Sequence, residues 1–264
     1  MALVVLAEKR NFRFPIRLSE SAVVVPWNLY RDNALRNPPS VSLGSWCNES
    51  SQRIGDFDLR FASQSLFLEL LKELHVEHGF TGEYWQSCPT LADLYQKVRK
   101  KRYPLMSHQA RHRESLENRL SGILHHAGDV FACNRGIDLK KLLDHDFILE
   151  LDGTIPEIKR LILSLLLSRI LLYRIATGER TPHLRTLVIV DEGQNLFRRQ
   201  EELSDSPSTL GHLITLAREF GCGIVVGVQN IRDVSYALTS NCSHKIGTGF
   251  SDMRDLDEFC RIIA

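Results

Sequence analysis

From residue 146 onward, short apolar runs alternate with stretches of helical pattern, and this alternation restricts the possible folds more than any other feature of the chain. The runs are "FILELDG" (147–153), "RTLVIVDE" (185–192) and "CGIVVGVQ" (222–229). Apolar character without a polar face marks strands covered on both sides, as in a mostly parallel sheet flanked by helices. Between the first two lies "PEIKRLILSLLLSRILLYRIATG", framed as one long helix by Pro156 at its start and Gly178 at its end. "SPSTLGHLITLAREFG" reads as a helix closed by Gly221. Beyond the third run, "IRDVSYALTSNC" reads as a short helix, "HKIGTGFS" as a strand and "DMRDLDEFCRII" as a helix.

The earlier part of the chain has a different texture. Leu3–Ala7 is a short strand-like run, and Asn11 to about Arg53 reads as loop-rich, with "NPPS" and "NESS" as breakers. "SQSLFLELLKEL" then spaces Leu66, Leu70 and Leu74 four apart, as one helix face does. "PTLADLYQKVRKK" is a second helix with Thr90 as N-cap, and "RESLENRLSGILHHAG" a third, stopped by Gly128. The expected organisation is an α/β core beginning in 1–57, together with an irregular loop region, a helical insertion over 58–145, and the rest of the core in 146–264.

Composition narrows the class without naming a partner. Of 264 residues, 43% are hydrophobic, and 33 basic side chains nearly balance 32 acidic ones. Only local charge clusters can then select a ligand. The six cysteines form no CxxC pair, which suits reduced thiols in a cytoplasmic protein. The most apolar stretch, Leu161–Ala176, is interrupted by Arg169 and Arg174 and falls short of the roughly 20 residues a membrane helix needs. It reads as a buried helix whose arginines reach its edge.

The candidate chemistry sits where "TLVIV" runs into Asp191 and Glu192. Ligands of parallel α/β sheets bind outside the carboxyl ends of the strands. There, one carboxylate can hold Mg2+ through its waters and a neighbouring one can activate an attacking water. The next apolar run ends in Gln229-Asn230, an amide at the mouth of a neighbouring strand. Each feature alone is also what a solvated turn or a capping amide looks like.

Together, "TLVIVDEGQNLF", "LITLAREFGCGIVVGVQNIRDVS" and "LTSNCSHKIGTGFSD" resemble the HerA/FtsK branch of the P-loop ATPases, which includes DNA-pumping motors and TraG-like conjugation coupling proteins. "RGIDLKKLLDHDFILELDG" and "CPTLADLY" resemble further pieces of that family. Gln194 stands where the family carries a histidine or glutamine, whereas the family's "TQRP" is "VQNI" here, without the proline. The resemblance implies a RecA-like (ASCE) fold with helices on both sheet faces, and ATP and Mg2+ as cofactors. It also implies roles. Asp191 and Glu192 are the Walker B pair, with Asp191 holding the hydrated Mg2+ and Glu192 activating water. Gln229 senses the γ-phosphate. Arg218 faces a neighbouring subunit's nucleotide, although a cation at the C-terminus of a helix is equally suited by the helix dipole. DNA is the implied substrate and a homo-oligomeric ring, a hexamer, the implied assembly.

One part is missing from the pattern. The phosphate cradle G-x-x-x-x-G-K-[ST] has no counterpart, and the chain contains no Gly-Lys dipeptide. The family places that loop before the strand that "ALVVLA" resembles, so the chain is expected to start after it and to be inactive alone, with a partner supplying the loop. Three readings stand: part of a DNA-translocating motor, a non-catalytic regulatory or scaffold subunit, and a conjugative coupling protein fragment.

Two weaker signals remain. Lys97, Arg99, Lys100, Lys101 and Arg102 put five cations into six positions, with Arg111, Arg113 and Tyr103 nearby. They suit either a nucleic-acid backbone or a solvated helix end. The pairs His75/His78 and His108/His112 have helical spacing but no cysteine near them in sequence, and read as surface histidines.

Overall fold

The computed structural model describes residues 2–7, 22–26, 30–55, 61–83, 86–104, 106–178, 180–199, 216 and 218–263. Its sheet is built from β1 (Ala2–Ala7), β2 (Val23–Pro26), β3 (Phe147–Glu150), β4 (Thr181–Val190) and β5 (Phe220–Val226), all pairing in parallel in the order β2-β3-β1-β4-β5. Val188, Ile189 and Val190 are all buried, which is why this stretch of β4 is apolar without alternation. The helix α6 (Pro156–Thr177) follows β3 and packs against β5 as well as against two helices of the chain's first half. Contact on several sides explains its run of buried residues from Leu161 to Leu171. Among the described residues no helix is long and apolar enough to cross a membrane.

The first half supplies α1 (Leu43–Gly55), α2 (Phe61–Glu77), α3 (Leu91–Lys100), α4 (His108–Phe131) and the one-turn α5 (Leu139–Leu142). Helix α3 starts as its sequence demands. The Thr90 hydroxyl caps the Asp93 N–H, and the Asp93 carboxylate accepts from the Thr90 N–H at 2.8 Å, a reciprocal capping box. Two later elements follow the sheet: α7 (Tyr236–Asn241) and α8 (Met253–Ile263).

Several expectations change. Residues 43–55 form a helix where loop was expected, because Trp46, Cys47 and Ile54 are buried beneath their neighbours. Helix α4 passes through Gly128 to Phe131, bending at Ala127 instead of stopping. Residues 244–251 form no strand: Ile246 is 89% exposed, and among the described residues no strand pairs with the segment. Most of the helix expected over 206–221 lies outside the described residues. Strand β3 ends at Glu150 and β5 at Val226, so Gln229 stands just beyond its strand.

Arg169 does not reach the edge of α6. It is 2% exposed, lies 3.3 Å from the Asp32 carboxylate and stacks over Trp46 at 4.7 Å. Its Nη2 also donates to the carbonyls of Asn33 and of Arg36, the latter at 2.7 Å. A second buried group ties α1 to α6: the Glu49 carboxylate accepts from Ser168 at 2.6 Å and pairs with Arg53 at 2.8 Å. Arg174 is half-buried and donates to the Thr186 hydroxyl on β4 at 2.7 Å. The chain from Tyr30 to Arg36 has no regular structure yet is almost wholly buried, so its polar groups must be matched internally. Asn33 donates to the Pro89 carbonyl at 3.1 Å, and Arg36 to the Gln86 carbonyl at 2.9 Å.

His75 is likewise interior, not a surface residue. It lies between the Cys47 and Cys88 sulfurs, 3.7 and 4.0 Å from its ring nitrogens, although those cysteines are distant in sequence. Burial pulls its pKa down from 6.5 to about 4 and pushes the Cys47 and Cys88 thiols up to about 11 and about 12.

Replacing Arg169 by Met strands the Asp32 carboxylate and should cost about 3–5 kcal/mol in urea denaturation. Wild-type stability of Arg169→Met would refute the pairing. For His75, the unfolded chain binds a proton that the folded chain refuses. Stability is therefore full above pH 6.5 and falls as pH drops towards about 4, by up to roughly 3 kcal/mol. Denaturation midpoints across that interval should lose this slope in His75→Gln.

Candidate functional site at the ends of two parallel strands

β4 and β5 run side by side with Val190 opposite Val226, so both chains leave the sheet at the same end. They stay tied beyond the strands: the Gly227 N–H donates to the Val190 carbonyl and the Gly193 N–H to the Gly227 carbonyl, each at 2.8 Å. That approach is too close for a side chain on residue 193, whose Cβ would overlap the Val226 side chain. Asp191 emerges directly from β4 and is half-buried. Its Oδ1 is 3.6 Å from the Cβ position that Gly227 lacks.

Glu192 adopts a left-handed backbone, φ 55° and ψ 41°, which costs a residue with a side chain roughly 1–3 kcal/mol. The turn lets its carboxylate meet β5's exit. Its Oε2 accepts from Gln194 Nε2 at 2.6 Å and its Oε1 from Gln229 Nε2. The ring closes through the Gln229 N–H, which donates to Gln194 Oε1 at 3.4 Å. Asp191, Glu192 and Gln229 are thus brought together, with Gln194 as a second amide on the same carboxylate. Its position two residues after Glu192 was the available sequence signal; the hydrogen bond depends on the turn.

Arg218 is elsewhere. It lies exposed in the turn before β5, at the opposite end of that strand, roughly 20 Å from the cluster by strand length. It cannot reach Glu192 within the same chain.

The site is braced from behind. The Phe197 carbonyl accepts from the Ser235 N–H at 3.0 Å. Arg199 stacks on Tyr236 at 3.9 Å and pairs with Glu258 of α8 at 3.1 Å. Arg232 pairs with Asp255 at 2.8 Å and Asp252 at 3.0 Å, anchoring α8 to the segment after Gln229.

Among the described residues no three His, Cys, Asp or Glu side chains are grouped to hold a metal. The strand-end donors fit a hydrated Mg2+, which takes one or two carboxylates and keeps its remaining waters. The phosphate side does not fit in the same way, since no Gly-Lys step is present to cradle it.

The basic run is largely committed to neighbours. Lys97 pairs with Glu77 and Glu73 at 2.5 and 3.2 Å, Lys101 with Glu73 and Glu69 at 3.2 and 3.6 Å, and Arg99 with Glu117 at 3.6 Å. These pairs join α3 to α2 and α4. Lys100 and Arg102 are exposed.

No protein-family model matches the sequence, and no curated protein matches it. Solved structures do. VirB4 of Thermoanaerobacter pseudethanolicus is similar over 99% of this chain and 73% of its own, with a TM-score of 0.67 and 16% identity. The plasmid coupling protein TrwB, in complex with a non-hydrolysable GTP analogue, is similar over 86% of this chain and 63% of its own, with a TM-score of 0.56 and 12% identity. In complex with a non-hydrolysable ATP analogue, TrwB is similar over 87% of this chain and 63% of its own, with a TM-score of 0.51 and 12% identity. The chain therefore spans less than two thirds of TrwB's length. At this identity the likeness concerns architecture, and it places the chain in the α/β, RecA-like fold that VirB4 and TrwB share.

Proposed function

We propose that this chain is a component of a nucleotide-hydrolysing machine of the VirB4 and TrwB kind, acting on DNA within a ring or with a partner subunit. The observation that carries the reading is the strand-end cluster, in which Asp191 and Glu192 leave β4 beside Gln229 leaving β5. In this reading Asp191 binds the water shell of Mg2+. Glu192 takes the proton of the attacking water. Gln229, already on the Glu192 carboxylate, exchanges that bond for the γ-phosphate, and Gln194 holds the carboxylate in place meanwhile. Mg2+ supplies charge neutralisation on the phosphates. The 264 residues hold no Gly-Lys phosphate cradle, so the reading requires one supplied from outside them. Arg218, remote from its own Glu192, can serve only in trans, at a neighbour's nucleotide. A DNA contact through the basic run falls to Lys100 and Arg102, since three of its five cations already have acidic partners. The finer assignment to a HerA/FtsK-type motor rests on the motif resemblance and the cluster together.

A second reading has one specific observation behind it. The chain has no Gly-Lys step, which suits a subunit that keeps the fold and regulates a complete ATPase. The two separate on one measurement. In the assembly purified with its partners, Glu192→Gln should lower ATP turnover at least about a hundredfold while ATP binding persists. Wild-type turnover by that assembly would sink the catalytic reading and leave the regulatory one.

A further inference from the structure

A groove of about 330 Å³ lies in the helical region, between the first half of α2 and the start of α4. Ala62, Leu66 and Glu69 line it from one face of α2, and Gln109 and His112 from one face of α4, each set at helical spacing. Tyr103, in the link between α3 and α4, lines it as well. The volume lies at the lower end of the range for small-molecule sites and has room for one nucleobase with its sugar. Its polar groups are within reach of a ligand. Gln109 is exposed, the Glu69 side chain is 57% exposed, and Tyr103 and His112 are half-buried. Tyr103 also packs on the hydrophobic core, which steadies its ring.

Glu69 is held loosely. Its charge partner is Lys101 at 3.6 Å, too far for a hydrogen bond, and Lys101 keeps the nearer Glu73 at 3.2 Å. The Glu69 carboxylate can therefore turn to a ligand without stranding a charge. Lys100 and Arg102 stand exposed three residues and one residue before Tyr103. Cations beside an aromatic ring are the parts of a single-strand site, in which the cations hold phosphates and the ring stacks on a base. The carboxylate then selects the base. It offers two acceptors side by side and no donor. Of the four DNA bases only guanine presents two adjacent N–H donors on its pairing edge, at N1 and N2, so only guanine can engage both oxygens at once.

We propose that this groove is a binding pocket for an unstacked guanine of single-stranded DNA. Tyr103 stacks on the base, Glu69 accepts from its N1 and N2 hydrogens, and Lys100 and Arg102 hold the flanking phosphates. The inference rests on the DNA-handling reading above and deepens it, setting a strand contact on the helical region, apart from the nucleotide chemistry at the strand ends. Glu69 is exposed and Lys101 retains Glu73 without it, so Glu69→Gln tests the pocket without disturbing the fold.

The experiment is fluorescence anisotropy of the whole chain, without ATP or Mg2+, on labelled short thymine strands whose central base is guanine, hypoxanthine, adenine or thymine. The guanine strand should bind at least about tenfold more tightly than the thymine strand, as gain of a charge-assisted pair does. Hypoxanthine lacks the N2 amino group and should fall between them. Glu69→Gln should bring guanine to the level of thymine without weakening the others. Lys100→Ala with Arg102→Ala should weaken all four strands alike and lower the salt slope by about 1.4, at roughly 0.7 per phosphate contact on a single strand. Equal affinity for the four strands, a guanine preference that survives in Glu69→Gln, or displacement of the guanine strand by polyglutamate would each overturn the pocket. With no ATP present, those outcomes bear on the groove alone, whereas the Glu192 reading stands or falls on turnover.

Discussion

The buried Arg169 guanidinium is the group on which the joint between sheet and helical region depends. A lone charge in a protein interior is prohibitive, so its position is tolerable only with the Asp32 carboxylate, two backbone carbonyls and the Trp46 ring around it. Those partners lie in the segment between Tyr30 and Trp46, which has little regular structure of its own. The guanidinium thus holds an irregular chain in one conformation against α6, and α6 packs on β5. Asn33 and Arg36 extend the hold to the turns around Gln86, Pro89 and Asn134. Such polar networks contribute little net stability compared with a well-packed apolar core, and their physical effect is to select one arrangement of the loops.

That arrangement reaches the strand-end site only indirectly. Helix α6 lies against β5, and the exit of β5 delivers Gln229 to Glu192. The site's own geometry is local: a left-handed residue, a glycine at 193 without room for a side chain, and two amides on one carboxylate. A left-handed glutamate is a conformational cost that the turn repays by directing the carboxylate across to the neighbouring strand.

Much of this was legible in the chain. The three apolar runs after residue 146 became β3, β4 and β5, although only Val188–Val190 of β4 are buried on both faces, while β3 alternates buried and half-buried residues and Val225 of β5 is 42% exposed. Pro156 and Gly178 framed α6, and the Thr90 capping box started α3, because end groups of helices have few ways to be satisfied. Asp191, Glu192 and Gln229 stood at strand ends in the sequence and stand together in space. What periodicity misread were elements whose environment is not local. Trp46, Cys47 and Ile54 make a helix of a stretch that breakers had marked as loop. The run 244–251 has strand-like residues, but among the described residues no strand lies beside it to pair with.

The sequence by itself determined the alternation of strands and helices, the acidic end of β4, and the lack of a Gly-Lys phosphate loop, since each follows from residue type and spacing along the chain. Tertiary structure alone decided that His75 lies between two cysteines, that Arg169 turns inward to Asp32, that Lys97 and Lys101 are committed to acids on α2, and that Arg218 is a strand's length from Glu192. The reason is that charge and burial are set by what the fold brings alongside a residue from far away in the chain, and no window of local sequence contains that neighbour.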